Sequence, residues 1–190
     1  MHPIKYIWGL KTIFYKLFYK RIGTLTYIGK PCYVDGTRNI TIGNKTRILP
    51  GLRMEAINGG HISIGDNCVI EQNVHIISEG QELAIGNDVT ISANVFVSNV
   101  NHEYRDVSKS VMDQPHIRKT TEISDGCFIG YGAAILPGTK LGKHCIVGCN
   151  SVVKGEFPDF VVVAGVPAKV IKKYDNKRGE WINGRYKNGN

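Results

Sequence analysis

Large aliphatic side chains recur along this chain every six residues, at Ile123, Ile129, Ile135, Leu141, Val147 and Val153, with smaller and polar residues between them. Shorter runs upstream keep the same step: Ile42, Ile48, Met54; Ile64, Ile70, Ile76; and Ile85, Ile91, Val97. Six is not a helical period, which would return apolar residues after three or four positions. It fits a short strand closed by a tight turn. Glycine often follows the aliphatic residue, as at Gly43, Gly65, Gly86, Gly130 and Gly142, and in all of these but Gly130 Asp, Asn or Lys comes next, which is turn chemistry. Three such segments make a coil of 18 residues, the spacing from Ile123 to Leu141. Stacked coils pair through parallel ladders about 4.8 Å apart, and their aliphatic residues fill one axial core. The expected fold is all-β, a parallel β-helix. Periodicity does not give its handedness, and the general crossover rule favours a right-handed path.

The beat is interrupted. Ile42 to Ile64 is 22 residues and Ile64 to Ile85 is 21, so these coils carry loops of four and three extra residues. Val97 to Ile123 is 26 where six would do, an insertion of 20 that makes a protruding loop over 98–122. Long loops on rigid scaffolds are favoured functional sites. This one holds Asn101-His102-Glu103. A neutral imidazole near pH 7 is a competent general base, so His102 is the leading catalytic candidate. A neighbouring carboxylate can fix its tautomer; Glu103 is the first choice and Asp106 the second. Asn101, Tyr104 and Arg105, in the same loop, are candidate acceptor contacts. His61, His116 and His144 read as exposed turn or loop residues.

Residues 1–23 stand apart. Ile4, Ile7, Trp8, Ile13, Phe14, Leu17 and Phe18 alternate with Lys5, Lys16 and Lys20 at helical spacing, which predicts an amphipathic basic helix. Two readings stay open: packing on the β-helix or on a neighbouring subunit, and an interfacial helix over residues 4–20 on the inner membrane face. The chain has no apolar run long enough to span a bilayer, and lysines interrupt any signal-peptide core, so the expected location is cytoplasmic, with a peripheral membrane contact left open. The domain is expected over 24–172, followed by a polar tail over 173–190 that ends in a frayed segment.

The net charge of +8 is unevenly placed. Residues 1–21 carry +5 and residues 166–190 another +5, leaving −2 between them. Charge confined to the two ends is a poor nucleic-acid signature and fits local anionic partners better. Four of the five cysteines, Cys32, Cys68, Cys127 and Cys145, lie four residues after an aliphatic beat, in a slot filled elsewhere by Thr46, Val74, Val89, Ala133, Thr139 and Ser151. They are expected to be small buried side chains. No C-x-x-C pair is present, and no two histidines have the spacing of a β-helix zinc site, so no metal is expected.

The units Ile129-Gly-Tyr-Gly-Ala-Ala, Ile135-Leu-Pro-Gly-Thr-Lys, Leu141-Gly-Lys-His-Cys-Ile and Val147-Gly-Cys-Asn-Ser-Val, with the closing Val163-Ala-Gly-Val-Pro-Ala-Lys-Val-Ile171, resemble the hexapeptide-repeat acyltransferases. The pattern is similar to the sugar and antibiotic O-acetyltransferases of the galactoside, maltose and virginiamycin type, over about residues 25–172. The resemblance implies a left-handed β-helix, a homotrimer with sites between subunits, and acetyl-CoA as co-substrate. It places the catalytic histidine on the loop that carries His102. It implies cofactor contacts at Phe128, Tyr131, Gly132, Cys149, Ser151, Lys154, Lys169 and Lys172, and an acceptor contact at His75. Direct transfer to a sugar hydroxyl in surface-polysaccharide or glycan modification is the expected activity. N-acetylation of an amino-sugar nucleotide, antibiotic O-acetylation and a non-enzymatic β-helix scaffold are the alternatives.

Overall fold

The computed structural model describes residues 3–183. One α-helix, Ile4–Tyr15, precedes a stack of short parallel strands. Each strand pairs with the strand one coil later: Ile64 with Ile85, Ile85 with Ile123, and Ile123 with Leu141 on the first wall; Ile48 with Ile70 on the second; Met54 with Ile76 on the third. Among the described residues three walls result, of seven, nine and six strands. Every aliphatic residue of the beat from Ile42 to Val153 is at most 3% exposed, in one continuous core. Burying each such isoleucine contributes about 1.5–3 kcal/mol relative to leaving it in water.

The small slot does more than save space. Thr46 Oγ1 donates to the Gly65 carbonyl at 2.8 Å, and the thiols of Cys68, Cys127 and Cys145 donate to Gly86, Gly142 and Pro158 carbonyls, each at 3.1 Å. At these four coils the slot residue is thus a small donor that satisfies a carbonyl of the next coil; Val74, Val89 and Ala133 fill it by size alone. Cys68, Cys127 and Cys145 are buried as expected, but Cys32 is exposed. It lies just before Tyr33–Asp35, the end strand of the third wall, where no earlier coil covers it.

The corner between the first and second walls is built by a side-chain ladder. Asn44, Asp66, Asn87 and Asp125 each accept, through Oδ1, the backbone N–H of the corresponding turn one coil earlier, at 2.7–2.9 Å. This explains the Asp or Asn after glycine in the repeat. The stack ends in an antiparallel extension of the second wall, Val161–Gly165, Ala168–Asp175 and Glu180–Asn183, with Trp181 edge-on to Tyr174. Within the expected polar tail, residues 173–175 and 180–183 are paired strand; the end expected to be frayed falls in residues 184–190, outside the described residues.

All the extra residues fall at one corner. The four after Ile57, the three around Gly80 and the long insertion each leave the third wall and return on the first. The insertion is an arm: Val100–His102 pairs antiparallel with His116–Arg118. Its root is pinned by the buried Asn99, whose Oδ1 accepts Glu79 N–H at 2.8 Å and whose amide donates to Ser78 Oγ at 3.1 Å. Its tip is held by Gln114, which exchanges hydrogen bonds with the Asp106 backbone.

Candidate active site

In the arm, Asn101 faces Ile117 and His102 faces His116. Glu103 N–H donates to the Pro115 carbonyl and Lys119 N–H to the Asn99 carbonyl, so His102 and His116 form a non-hydrogen-bonded pair, the kind that brings side chains closest. Their ring centroids are 4.6 Å apart and nearly perpendicular. His102 Nδ1 is buried without a hydrogen-bond partner among the described residues. Such an atom is uncommon in a folded chain and singles out this face of the arm.

Strand alternation decides which carboxylate meets which histidine. Neighbours in a strand point to opposite faces, so Glu103 turns away from His102. Glu103 instead accepts from the backbone N–H groups of Tyr104 and Arg105 and pairs with the Arg105 guanidinium, which together hold its carboxyl down to about 2. Asp106 is taken by Ser108 and Lys109. Neither expected carboxylate orients His102. The carboxylate that reaches this face is Glu79, 1% exposed: Oε2 bonds His116 Nδ1 at 2.6 Å, and Oε1 accepts from Arg118 at 2.6 Å and Asn58 at 3.2 Å. Burial works against its charge, but those hydrogen bonds outweigh it and keep Glu79 below the ordinary carboxylate value. Gly80, at φ +68°, lets the Arg118 side chain pass; a Cβ there would sit 2.6 Å from Arg118 Cδ. His116, expected to be an exposed loop residue, is therefore part of the site.

One coil earlier on the same wall is a second such group. Glu55 accepts from Arg53 Nε at 2.6 Å and bonds His75 Nε2 at 3.1 Å, and the His75 ring lies edge-on to Phe96. His75 thus stands on the outer face of the third wall, half-buried.

The far face of the arm bounds a groove of about 370 Å³ lined by Asn101, Glu103, Tyr104, Arg105, Lys119, Pro137 and Lys154. It joins three candidate acceptor contacts to one candidate cofactor contact, and His102 is not in it. A larger groove of about 410 Å³ along the first wall, past Ala84, Glu122 and Lys143, contains none of the expected residues. The remaining cofactor candidates face elsewhere. Phe128, Ile146, Val162 and Lys172 line up across the second wall, with Lys169 beside them. Tyr131 and Cys149 are exposed where the second wall turns to the third, and Gly132 lies there too; Tyr131 Oη accepts from Asn94 at 2.6 Å. Ser151 is a correction: it is 1% exposed, its hydroxyl accepts from Gly165 N–H, and it belongs to the core slot rather than to a cofactor wall. Burial pushes the Cys68 thiol up, away from nucleophilic use. Among the described residues no group of three His, Cys, Asp or Glu is arranged to hold a metal ion.

The missed residues, Glu79, His116, Arg118 and Glu55, had one usable signal. The coil lengths of 22, 21 and 38 residues place every insertion at the same corner, so the loop residues of successive coils must stack on one another.

Comparison with known proteins bears on this arrangement. Residues 120–155 match the bacterial transferase hexapeptide model and residues 61–78 the hexapeptide repeat of succinyl-transferase. The chain is 34% identical over 173 residues to WbbJ of Escherichia coli (strain K12), whose name assigns it to lipopolysaccharide biosynthesis as an O-acetyl transferase; the match covers 87% of this chain and 86% of WbbJ. It is 26% identical over 155 residues to the galactoside O-acetyltransferase of Lactococcus lactis, covering 70% and 73%. In structure it resembles AntD, an N-acyltransferase from Bacillus cereus solved with dTDP-4-amino-4,6-dideoxyglucose and coenzyme A, with a TM-score of 0.77, 19% identity and coverage of 88% and 90%.

Proposed function

Because this chain belongs to the hexapeptide-repeat acyltransferases, with their left-handed β-helix, we propose that it is an acetyl-CoA-dependent O-acetyltransferase acting on a sugar hydroxyl, in surface-polysaccharide or related glycan modification. The observation that carries the reading is the ring contact of His102 with His116 on the arm, His116 being bonded in turn to Glu79 of the third wall. Further support comes from the relatives, since WbbJ and the galactoside enzyme are both named for O-acetyl transfer.

An alcohol is a poor nucleophile until its proton is taken. With Nδ1 buried, Nε2 is the His102 nitrogen open to an acceptor. It removes the hydroxyl proton as the acceptor oxygen bonds to the thioester carbonyl carbon; the carbon–sulfur bond then breaks, and the proton is available to the departing thiolate. Glu79 fixes the His116 ring, and that ring fixes the plane of His102. His75 is the acceptor contact of this reading; Asn101, Tyr104 and Arg105 line the groove on the far face of the arm and do not face the His102 acceptor within one chain.

The cofactor candidates fit an anionic, extended ligand: exposed cations at Lys154, Lys169 and Lys172 and an exposed ring at Phe128. Lysine is a competent point-charge partner for phosphate. In one chain these residues occupy different walls and corners. A homotrimer, in which the arm of one subunit lies against the second wall of the next, would bring them to one cleft. The proposed setting is cytoplasmic, where acetyl-CoA is made.

The test is thiol release from acetyl-CoA against a panel of sugars, sugar nucleotides, amino-sugar nucleotides and antibiotics. A sugar hydroxyl ester as the product supports the reading, and an amide on an amino-sugar nucleotide replaces it. Changing Lys169 and Lys172 together to Ala should raise the KM for acetyl-CoA about tenfold or more at low salt; an unchanged KM removes them from the cofactor site.

A further inference from the structure

The N-terminal helix docks by the face its sequence would be expected to expose. Thr12 is buried against the first coil, its hydroxyl accepting from Ile28 N–H at 2.8 Å and donating to the Trp8 carbonyl at 2.7 Å. Trp8 packs on Tyr27 with ring centroids 6.0 Å apart, and Lys5 Nζ lies 5.9 Å from the same ring. Ile7, Leu10, Ile13, Phe14, Leu17 and Phe18 point away from the stack, each 53–68% exposed. At 3.6 residues per turn these six span about 140° of the helix and the turn that follows it. Lys11 lies at one edge of that stripe and Lys16 beyond the other, both exposed.

We propose that this stripe is a membrane-interface surface for anionic lipid. Six large apolar side chains on one side of a single short helix need a cover. The charge around them selects it: Lys5, Lys11, Lys16, Lys20 and Arg21 fall in the first 21 residues, with no acid. Two copies meeting stripe to stripe would set these cations side by side with no carboxylate in either segment. A bilayer surface with anionic headgroups takes both features, the apolar face entering the acyl boundary while the lysines snorkel to phosphate. The helix is too short to span, and none among the described residues is long and apolar enough to cross a membrane. The surface therefore anchors the enzyme peripherally, with the helix resting on the first coil and the coils stacking away from it. This inference goes beyond the proposed reaction and does not depend on it.

The experiment is co-sedimentation of the full chain with phosphatidylcholine vesicles, with and without phosphatidylglycerol, with no acetyl donor present. Binding should require phosphatidylglycerol and weaken with salt. L10E/F14E should lower apparent affinity about a hundredfold or more, leaving acetyl transfer to a soluble acceptor unchanged. K11Q/K16Q, which keeps the apolar stripe, should lower it about thirtyfold. No phosphatidylglycerol-dependent binding by the wild type overturns the proposal. So does a fall in oligomer size of L10E/F14E by light scattering together with unchanged vesicle binding, since a second copy is then the occupant.

Discussion

Two buried glutamates stand one coil apart on the same wall, each with a histidine and an arginine. Glu55 is paired with His75 and Arg53, and Glu79 with His116 and Arg118. In both, burial opposes ionisation and charged hydrogen bonds overcome it, so both carboxyls lie below their ordinary value. The difference is in what the histidine belongs to. His75 is part of a regular strand, with Phe96 on its ring. His116 is on the arm, and its ring touches His102, the histidine with the buried orphan nitrogen. In the proposed reaction the same carboxylate–imidazole pairing serves as a ledge in one coil and as a support for the proposed base in the next. What changes its role is the arm that the second glutamate anchors.

The sharpest way to break this comparison is at its end point. His102→Ala should lower kcat by about 10²–10⁴ while acetyl-CoA still binds, measured by thiol release and by calorimetry with CoA. Activity near wild type would leave the Glu79 cluster with nothing to support. His116→Ala should cost about 10–100-fold in kcat through lost orientation, with the KM for acetyl-CoA unchanged. His116→Gln keeps a donor for Glu79 but has no ring, so it should lose as much as alanine if the ring is what positions His102. Wild-type kcat in both would make the ring contact incidental. At the other cluster, His75→Ala should raise the acceptor KM a few-fold, about 1 kcal/mol of uniform binding, and leave kcat alone. A kcat loss matching that of His116→Ala would mean that both clusters act on the chemistry, and the distinction between ledge and support would fall.

The coils were legible because their constraint is local and repeated. A side chain every six residues must fill the axis, and Ile42 through Val153 do so. The arm was legible as a position, since 20 residues without a beat cannot stay in the stack, and the same count puts His102 on it. The partner of His102 was not legible, for two physical reasons. Sequence adjacency favoured Glu103, but strand alternation turns it to the other face, where it bonds Arg105. Glu79 and His116 are 37 residues apart and meet only because the small loop after Ser78 lies under the arm at the same corner. Ser151 is a different case: it fills the same core slot as Thr46 and Thr139, and that burial keeps its hydroxyl from a cofactor wall.

Glu103 completes the contrast, because its pairing is exposed and local where that of Glu79 is buried and long-range. The Arg105 guanidinium, then the Arg105 and Tyr104 N–H groups, draw its carboxyl from 4.5 to about 2. A carboxyl depressed on folding adds stability that is fully present above its unfolded value and is lost as pH falls through its folded value. The difference in arm protection between wild type and Glu103→Gln should therefore be constant at neutral pH, shrink below pH 4.5 and vanish near pH 2. Hydrogen exchange at the Tyr104 and Arg105 amides reads it directly. The effect should be the smallest of the series and confined to the tip, because the Glu79 anchor holds the root independently. If the Glu103→Gln change instead loosened Val100–His102 and lowered kcat as far as His116→Ala does, then the tip and the root would be one unit. The two faces of the arm would then be coupled rather than separate.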